Sequence, residues 1–223
     1  DQVKFTPRAE YAFRHPLIRT VAYASQLKAD RAELHRRLAS AIEARTSTDE
    51  DAALIAEHLE AAGDLGEAYA WHMRAGAWST SRDIVAAVLS WQRARQIADS
   101  LSADHPDRLA LRIAPRTRLC ANGWRVGDWS SGTRFEELQQ LCMEAGDKAS
   151  LAMGMAGLLM ELMFQARVRE ASQLASEYMA LLESIGDSTL TGRAFVRSDL
   201  REGSGRRDGR CAAVGTDRHR SRE

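Results

Sequence analysis

The chain has 223 residues, and its 31 Lys plus Arg balance 31 Asp plus Glu, so the formal net charge is zero. This balance argues against a protein whose binding is dominated by a strongly basic nucleic-acid or membrane surface. The 4 Pro and 15 Gly exclude collagen-like and Pro-rich architectures. No apolar run reaches the roughly 18 residues of a membrane span. Three scattered cysteines predict no disulfide framework, so we expect a cytoplasmic protein.

Helical periodicity runs through most of the chain. A short β-prone stretch at Tyr11–Phe13 comes before His15-Pro16, where proline suits the first turn of a helix. Apolar residues then recur every three or four positions, as on one face of a helix. The pattern predicts further helices over 30–45, 51–62, 65–78, 82–101, 108–120 with a break or kink at Pro115, 135–145, 148–165 and 169–185.

Two pairs of these helices are alike. Helices 65–78 and 82–101 form one pair, and helices 148–165 and 169–185 form the other. Each pair carries alanines where neighbouring helices would approach closely, and Gly-Asp steps such as Gly63-Asp64 end a helix and cap the next one. A single pair cannot bury both of its faces, whereas stacked pairs can. We therefore predict an all-α fold, an antiparallel helix-pair, tetratricopeptide-like solenoid.

Three runs of sequence carry a family resemblance. They are Phe13–Tyr23 (FRHPLIRTVAY), Arg31–Leu38 (RAELHRRL) and Ala56–Asp64 (AEHLEAAGD), the last followed by Ala68-Tyr69 and Arg74-Ala75-Gly76. Together they resemble the winged-helix-like end and the start of the tetratricopeptide-like array in bacterial STAND/AAA-ATPase LuxR-type transcriptional regulators. Some members of that group also carry class III adenylate or guanylate cyclase domains. The likeness covers roughly residues 10–190.

The resemblance implies three regions. Residues 1–46 would be a small winged-helix-like element that ends an ATPase module, 47–190 the helical array, and 191–223 a disordered Arg-rich tail. The chain begins with Asp and not Met, so we expect a fragment or a processed product. A protein partner or a small-molecule inducer would bind the array and bias the neighbouring ATPase module.

The catalytic parts of such regulators are not recognisable in this chain. Gly127–Thr133 has the glycine spacing of a phosphate loop, but Arg134 follows Thr133 and the Lys that such a loop needs to reach the phosphates is absent. No paired-aspartate cyclase motif and no DNA-reading helix pair is recognisable. We therefore predict no catalytic residue, no cofactor and no metal, with a nucleotide-binding or cyclase-linked protein as the alternative.

Five tryptophans fall within 59 residues and supply the candidate binding surface. One interpretation is an aromatic patch that contacts a ligand or partner, for which the candidates are Trp71, Trp78, Trp124 and Trp129. The other is packing between repeats, which we favour because Trp91 continues an apolar helical stripe. The histidines His15, His35, His58 and His72 lack zinc-ligand spacing and are interpreted as core or surface residues.

The tail from Arg193 to Glu223 differs in kind, with nine Arg, four Gly and few large apolar residues. Such a segment buries too little surface to offset chain entropy, which predicts disorder. Two other interpretations remain. The Arg-rich tail could bind DNA, against which the neutral net charge argues, or translation could have left the original frame near Thr191.

Overall fold

The computed structural model describes residues 15–45, 48–127 and 131–186. Within these ranges every regular element is a helix and no strand occurs, which confirms the predicted all-α class. Short 3-10 turns lie at Asp49–Asp51 and Gly123–Val126. The α-helices in chain order are α1 Pro16–Ser25, α2 Lys28–Glu43, α3 Ala52–Ala62, α4 Leu65–Ser79, α5 Ile84–Ser100, α6 Arg108–Asn122, α7 Ser131–Ala145, α8 Lys148–Phe164 and α9 Val168–Ile185.

The predicted helix ends lie within two residues of the observed ones, with one exception. Helix α7 begins at Ser131, four residues before the predicted start. The sequence predicts a break or kink at Pro115; helix α6 continues through this residue, so the break is wrong, whereas the kink stays a prediction. The β-prone stretch Tyr11–Phe13 lies outside the described residues.

Two Gly-Asp steps end helices as the sequence predicts. Gly63 and Gly146 adopt positive φ angles of 87° and 68°, and the amides of Asp64 and Asp147 bond back to the preceding helices. The Asp147 side chain also accepts a bond from the Ser150 amide at 2.9 Å, which caps α8. The Asp64 side chain, predicted to cap α4, instead accepts two bonds from Arg36 at 2.7 and 3.2 Å, which join α2 to the α3–α4 turn.

Successive helices pack against one another from α2 to α6, and α6 also packs against both α7 and α8. One core cluster joins α2, α3, α4 and α5 through buried residues that include Ile42, Ile55 and Ile97. A second cluster joins α6 and α7 around Ile113 and Leu138. Apolar stripes thus leave water by packing between neighbouring helices, as in helical-repeat proteins.

Helix α1 differs from the others because none of its residues is buried. Its apolar residues Leu17, Ile18 and Val21 are 69%, 59% and 66% exposed. The predicted helix is therefore present, but its apolar face is not buried.

The chain divides into two compact units, Asp1–Tyr178 and Met179–Glu223. Of the second unit, the structure describes only the end of α9 and Gly186. The sites considered below all lie in the first unit. Among the described helices, none is both long and apolar enough to cross a membrane.

Candidate functional site

A polar cleft of about 470 Å³ opens beside the packed helices α3, α4 and α5. Glu57 and Glu60 lie three residues apart on α3 and therefore on one helical face. Helix α4 contributes His72 and α5 contributes Arg93, while Ala61 completes the lining. The same three helices share a core cluster that includes Ile55, Ala68 and Ile97, so the cleft lies where three packed helices meet.

Glu60 is the centre of the polar contacts in this cleft. Its Oε2 atom lies 3.3 Å from His72 Nε2 and accepts a bond of the same length from Arg93 Nε. Its other oxygen accepts a short bond from Arg93 Nη2. One carboxylate from α3 thus joins α4 and α5 through charge-assisted hydrogen bonds.

His72 is buried, with 3% of its surface exposed. Burial lowers the pKa of its imidazole, an effect that the neighbouring Glu60 carboxylate only partly opposes. The Nδ1 atom is buried and has no hydrogen-bond partner among the residues that the structure describes. A neutral ring with its proton on Nε2, donated to Glu60, satisfies this arrangement, because a proton on Nδ1 would have no acceptor.

The charges around the cleft do not cancel. All three Arg93 nitrogens are engaged, since Nη1 donates to Gln96 Oε1 at 2.7 Å while the other two contact Glu60. Glu57 is exposed, and within the described chain its carboxylate forms no hydrogen bond or ion pair. The unmatched charge at the cleft is therefore negative. Such a lining suits binding of a cation.

The predicted tryptophan surface is only partly described. Trp71 and Trp78 lie seven residues apart on α4, hence on the same face. The guanidinium of Arg74 covers the Trp71 ring at 3.8 Å, and that of Arg82 covers the Trp78 ring at 3.7 Å. One face of each ring is thus already occupied by a cation–π contact.

The remaining tryptophans have different surroundings. Trp124 stacks on Phe164 of α8, with ring centroids 5.3 Å apart, and its indole N–H donates to the Ala121 carbonyl. Trp91 is 1% exposed and lies in the core between α4 and α5, as its place in the apolar stripe predicts. Trp129 lies outside the described residues. A ligand or partner surface at these rings stays a prediction.

Sequence reasoning did not single out the cleft, because its parts come from three helices. Glu60 and Arg93 are 33 residues apart, and no periodicity within one helix connects them. The signals present were the Glu57–Glu60 spacing and a histidine at position 72 within an otherwise apolar run. The structure also brings His35 and His58, which the sequence treats as separate residues, to 3.1 Å between their Nδ1 atoms.

The metal-ligand and thiol candidates can also be placed. Within the described ranges, no group of three or more His, Cys, Asp or Glu side chains could hold a metal ion. Cys120 and Cys142 are buried and unpaired. Burial raises the pKa of the Cys120 thiol to about 11 and that of Cys142 to about 12. Both thiols therefore stay protonated at neutral pH and are poor nucleophiles.

Comparison with known proteins gives a match over a short stretch of the chain. No family model matches the chain, and no solved structure matches it. An uncharacterized protein of Rhizobium meliloti (strain 1021) is 36% identical over 83 residues. The match covers 36% of this chain and 8% of the relative, so the chain spans only a small part of that protein's length.

Proposed function

We propose that this chain is a non-catalytic sensor module and a segment of a larger, signal-dependent ATPase-type transcriptional regulator. The observation that carries the binding role is the polar cleft of Glu57, Glu60, His72 and Arg93, with its unmatched negative charge. The match to a short stretch of a much longer protein supports a place within a larger chain. The three sequence runs that resemble STAND/AAA-ATPase regulators support the regulatory context.

The chemistry of the cleft favours a ligand with a positively charged group. The positive charge of Arg93 is already paired with Glu60, which weakens its attraction for an anionic ligand. A protonated amine or guanidinium placed between Glu57 and Glu60 would donate charge-assisted hydrogen bonds to both carboxylates. The neutral His72 ring adds no competing positive charge.

Such a ligand would act by stabilising one arrangement of helices. Because Glu60 already bonds to α4 and α5, a cation held on α3 would strengthen or rearrange the contacts among all three. A ligand shifts a conformational equilibrium only by its difference in affinity for the two states. The neighbouring ATPase module of the larger protein would respond to that shift.

Isothermal titration calorimetry with arginine and with putrescine tests this proposal. The whole chain should bind at least one of these cations saturably, after subtraction of a sodium chloride titration at equal ionic strength. Removing the free carboxylate with Glu57→Gln should weaken binding by about tenfold, the effect of about 1.4 kcal/mol. Glu67→Gln, which removes an exposed carboxylate from the first turn of α4, should leave the affinity unchanged.

Two results would contradict the proposal. Binding of neither cation, or equal affinity of the wild-type and Glu57→Gln chains, would remove the cleft as the binding site. Hydrolysis or retention of labelled ATP by the purified chain would contradict the non-catalytic role and favour the nucleotide-binding alternative.

A further inference from the structure

Two histidines and a tyrosine form a hydrogen-bonded chain across the first three helices. The Tyr23 hydroxyl on α1 lies 3.1 Å from His35 Nε2 on α2. On the other side of the same ring, His35 Nδ1 lies 3.1 Å from His58 Nδ1 on α3. The two imidazole rings are tilted by 35°, with centroids 5.2 Å apart. We call these three side chains the histidine link.

The contact between the two ring nitrogens holds only one proton. One Nδ1 atom must carry hydrogen and donate, while the other must present its lone pair. The Tyr23 hydroxyl can donate or accept, so it fits either tautomer of His35. If both imidazoles were protonated, two N–H groups and two positive charges would face each other at a distance of 3.1 Å.

We propose that the histidine link is an acid-sensitive connection that holds α1 and α2 to α3 at neutral pH and opens when both imidazoles are protonated. The contact cannot survive double protonation, because its hydrogen bond disappears and is replaced by charge repulsion at short range. Neither His35 nor His58 lines the cleft, but the two sites are coupled through Glu57, whose carboxylate lines the cleft and interacts with His58.

Several charged or titratable groups surround the histidine link and influence the protonation of its imidazoles. Burial and the proximity of His35 lower the pKa of His58, whereas the Glu57 carboxylate on α3 partly opposes them. On α2, the Arg31 guanidinium lies 4.8 Å from the Tyr23 ring centroid and donates to the Tyr23 carbonyl. From α4, His72 also interacts with Glu57, and burial lowers the pKa of its imidazole.

Helix α1 is the element that opening would affect most. None of its residues is buried, so it lacks the core packing that holds α3 to α5. Its described polar contacts with α2 come from Tyr23, through the ring hydroxyl and the backbone carbonyl. When the contact between the two imidazoles breaks, His35 can still donate from Nε2 to the Tyr23 hydroxyl, so α1 stays joined to α2. Helix α2 has no buried residue before Ala39, so α1 and the start of α2 together lose their contact with His58 of α3.

Two measurements on the whole chain test the link. Nitrogen-15 histidine spectra at neutral pH should show two imidazoles with one protonated and one bare Nδ1, and acid titration should show their coupled protonation. Hydrogen exchange should show that the protection factors of the α1 amides fall between about pH 7.5 and pH 5, by up to about tenfold per pH unit for one proton.

The matched variants are His58→Gln and His105→Gln. The first keeps a neutral hydrogen-bonding group beside His35, so α1 protection should no longer depend on pH. The second changes a histidine in the α5–α6 turn and should retain the wild-type pH dependence. Protection of α1 that is constant with pH in the wild type, or unchanged pH dependence in His58→Gln, would overturn the proposal. If that variant does not fold, independent titration of the two wild-type imidazoles would overturn it equally.

Discussion

At the residue scale, the close contact between α4 and α5 depends on the absence of a side chain at position 76. A Cβ atom on Gly76 would lie 2.1 Å from Trp91 Nε1 and 2.5 Å from Trp91 Cδ1. Trp91 is almost fully buried, so its ring cannot move aside without displacing its own neighbours. Gly76 therefore acts as the recess into which the largest core side chain fits.

Gly76→Ala should destabilise the protein by about 1–3 kcal/mol, the typical cost of overpacking a core. Urea unfolding followed by tryptophan fluorescence would measure the change. The matched control is Gly66→Ala on the same helix, where a Cβ would meet nothing within 4 Å. That variant should gain up to about 1 kcal/mol from the better helix propensity of alanine. Equal effects of the two substitutions would contradict the assigned role of Gly76.

The sequence predicted Trp91 as a core residue but could not predict its partner. Its place in the stripe with Val88 and Ala94 follows from helical spacing, and all three are buried. The indole packs against Gly76 because of how α4 and α5 are rotated and spaced relative to each other. The apolar periodicity of a single helix does not specify this arrangement. The same limit applies to Glu60, whose partners lie on two other helices.

At the element scale, α6 remains continuous through Pro115 because another helix satisfies its backbone. Proline has no amide hydrogen to donate to the carbonyl four residues earlier, which is that of Leu111. The Tyr69 hydroxyl on α4 donates to this carbonyl at 3.0 Å. Burial raises the pKa of Tyr69 to about 12, so its hydroxyl keeps its proton at any ordinary pH. The sequence-based expectation of a break failed because the compensating donor lies 42 residues away.

Tyr69→Phe should therefore cost about 1–3 kcal/mol, since it leaves the Leu111 carbonyl without its donor. In a Pro115→Ala background the new amide at position 115 can donate to that carbonyl. The penalty of Tyr69→Phe should then shrink, with a coupling energy of about 1 kcal/mol in a double-mutant cycle of unfolding free energies. Additive effects would show that Tyr69 does not compensate for the proline.

At the scale of the whole molecule, acidic and basic side chains of neighbouring helices form ion pairs. Asp99 on α5 binds both Arg112 and Arg116 of α6, at 3.0 and 2.9 Å, and Arg116 reaches Glu137 of α7 at 3.4 Å. Burial alone would raise the pKa of Asp99, but the bonds from the two arginines lower it overall. The composition predicted neutrality, and the sequence order predicted the helices, but neither revealed these pairings or the exposure of α1. An apolar stripe marks a face suited to burial and does not specify which element covers it.

The pH dependence of stability should reflect the buried histidines. The pKa of His72 is lowered by burial, so below its unfolded value of about 6.5 the unfolded chain binds a proton that the folded chain does not. The free energy of unfolding should therefore fall as pH decreases, by at most about 1.4 kcal/mol per pH unit for each such histidine, until the folded pKa is reached. Asp99, with its lowered pKa, loses its contribution only in stronger acid, outside this range.

Thermal or urea unfolding between about pH 7.5 and pH 5 would measure this dependence, in a range where unfolded histidines titrate. His72→Gln keeps a donor for Glu60 but cannot titrate, so its stability should depend less steeply on pH than that of the wild type. The part of the slope that remains belongs to His58, whose pKa is also lowered by burial. His15→Gln, at an exposed position before α1, should keep the full slope. If His72→Gln and the wild type lost stability equally as the pH falls, the lowered pKa of His72 would not be the cause of the acid sensitivity.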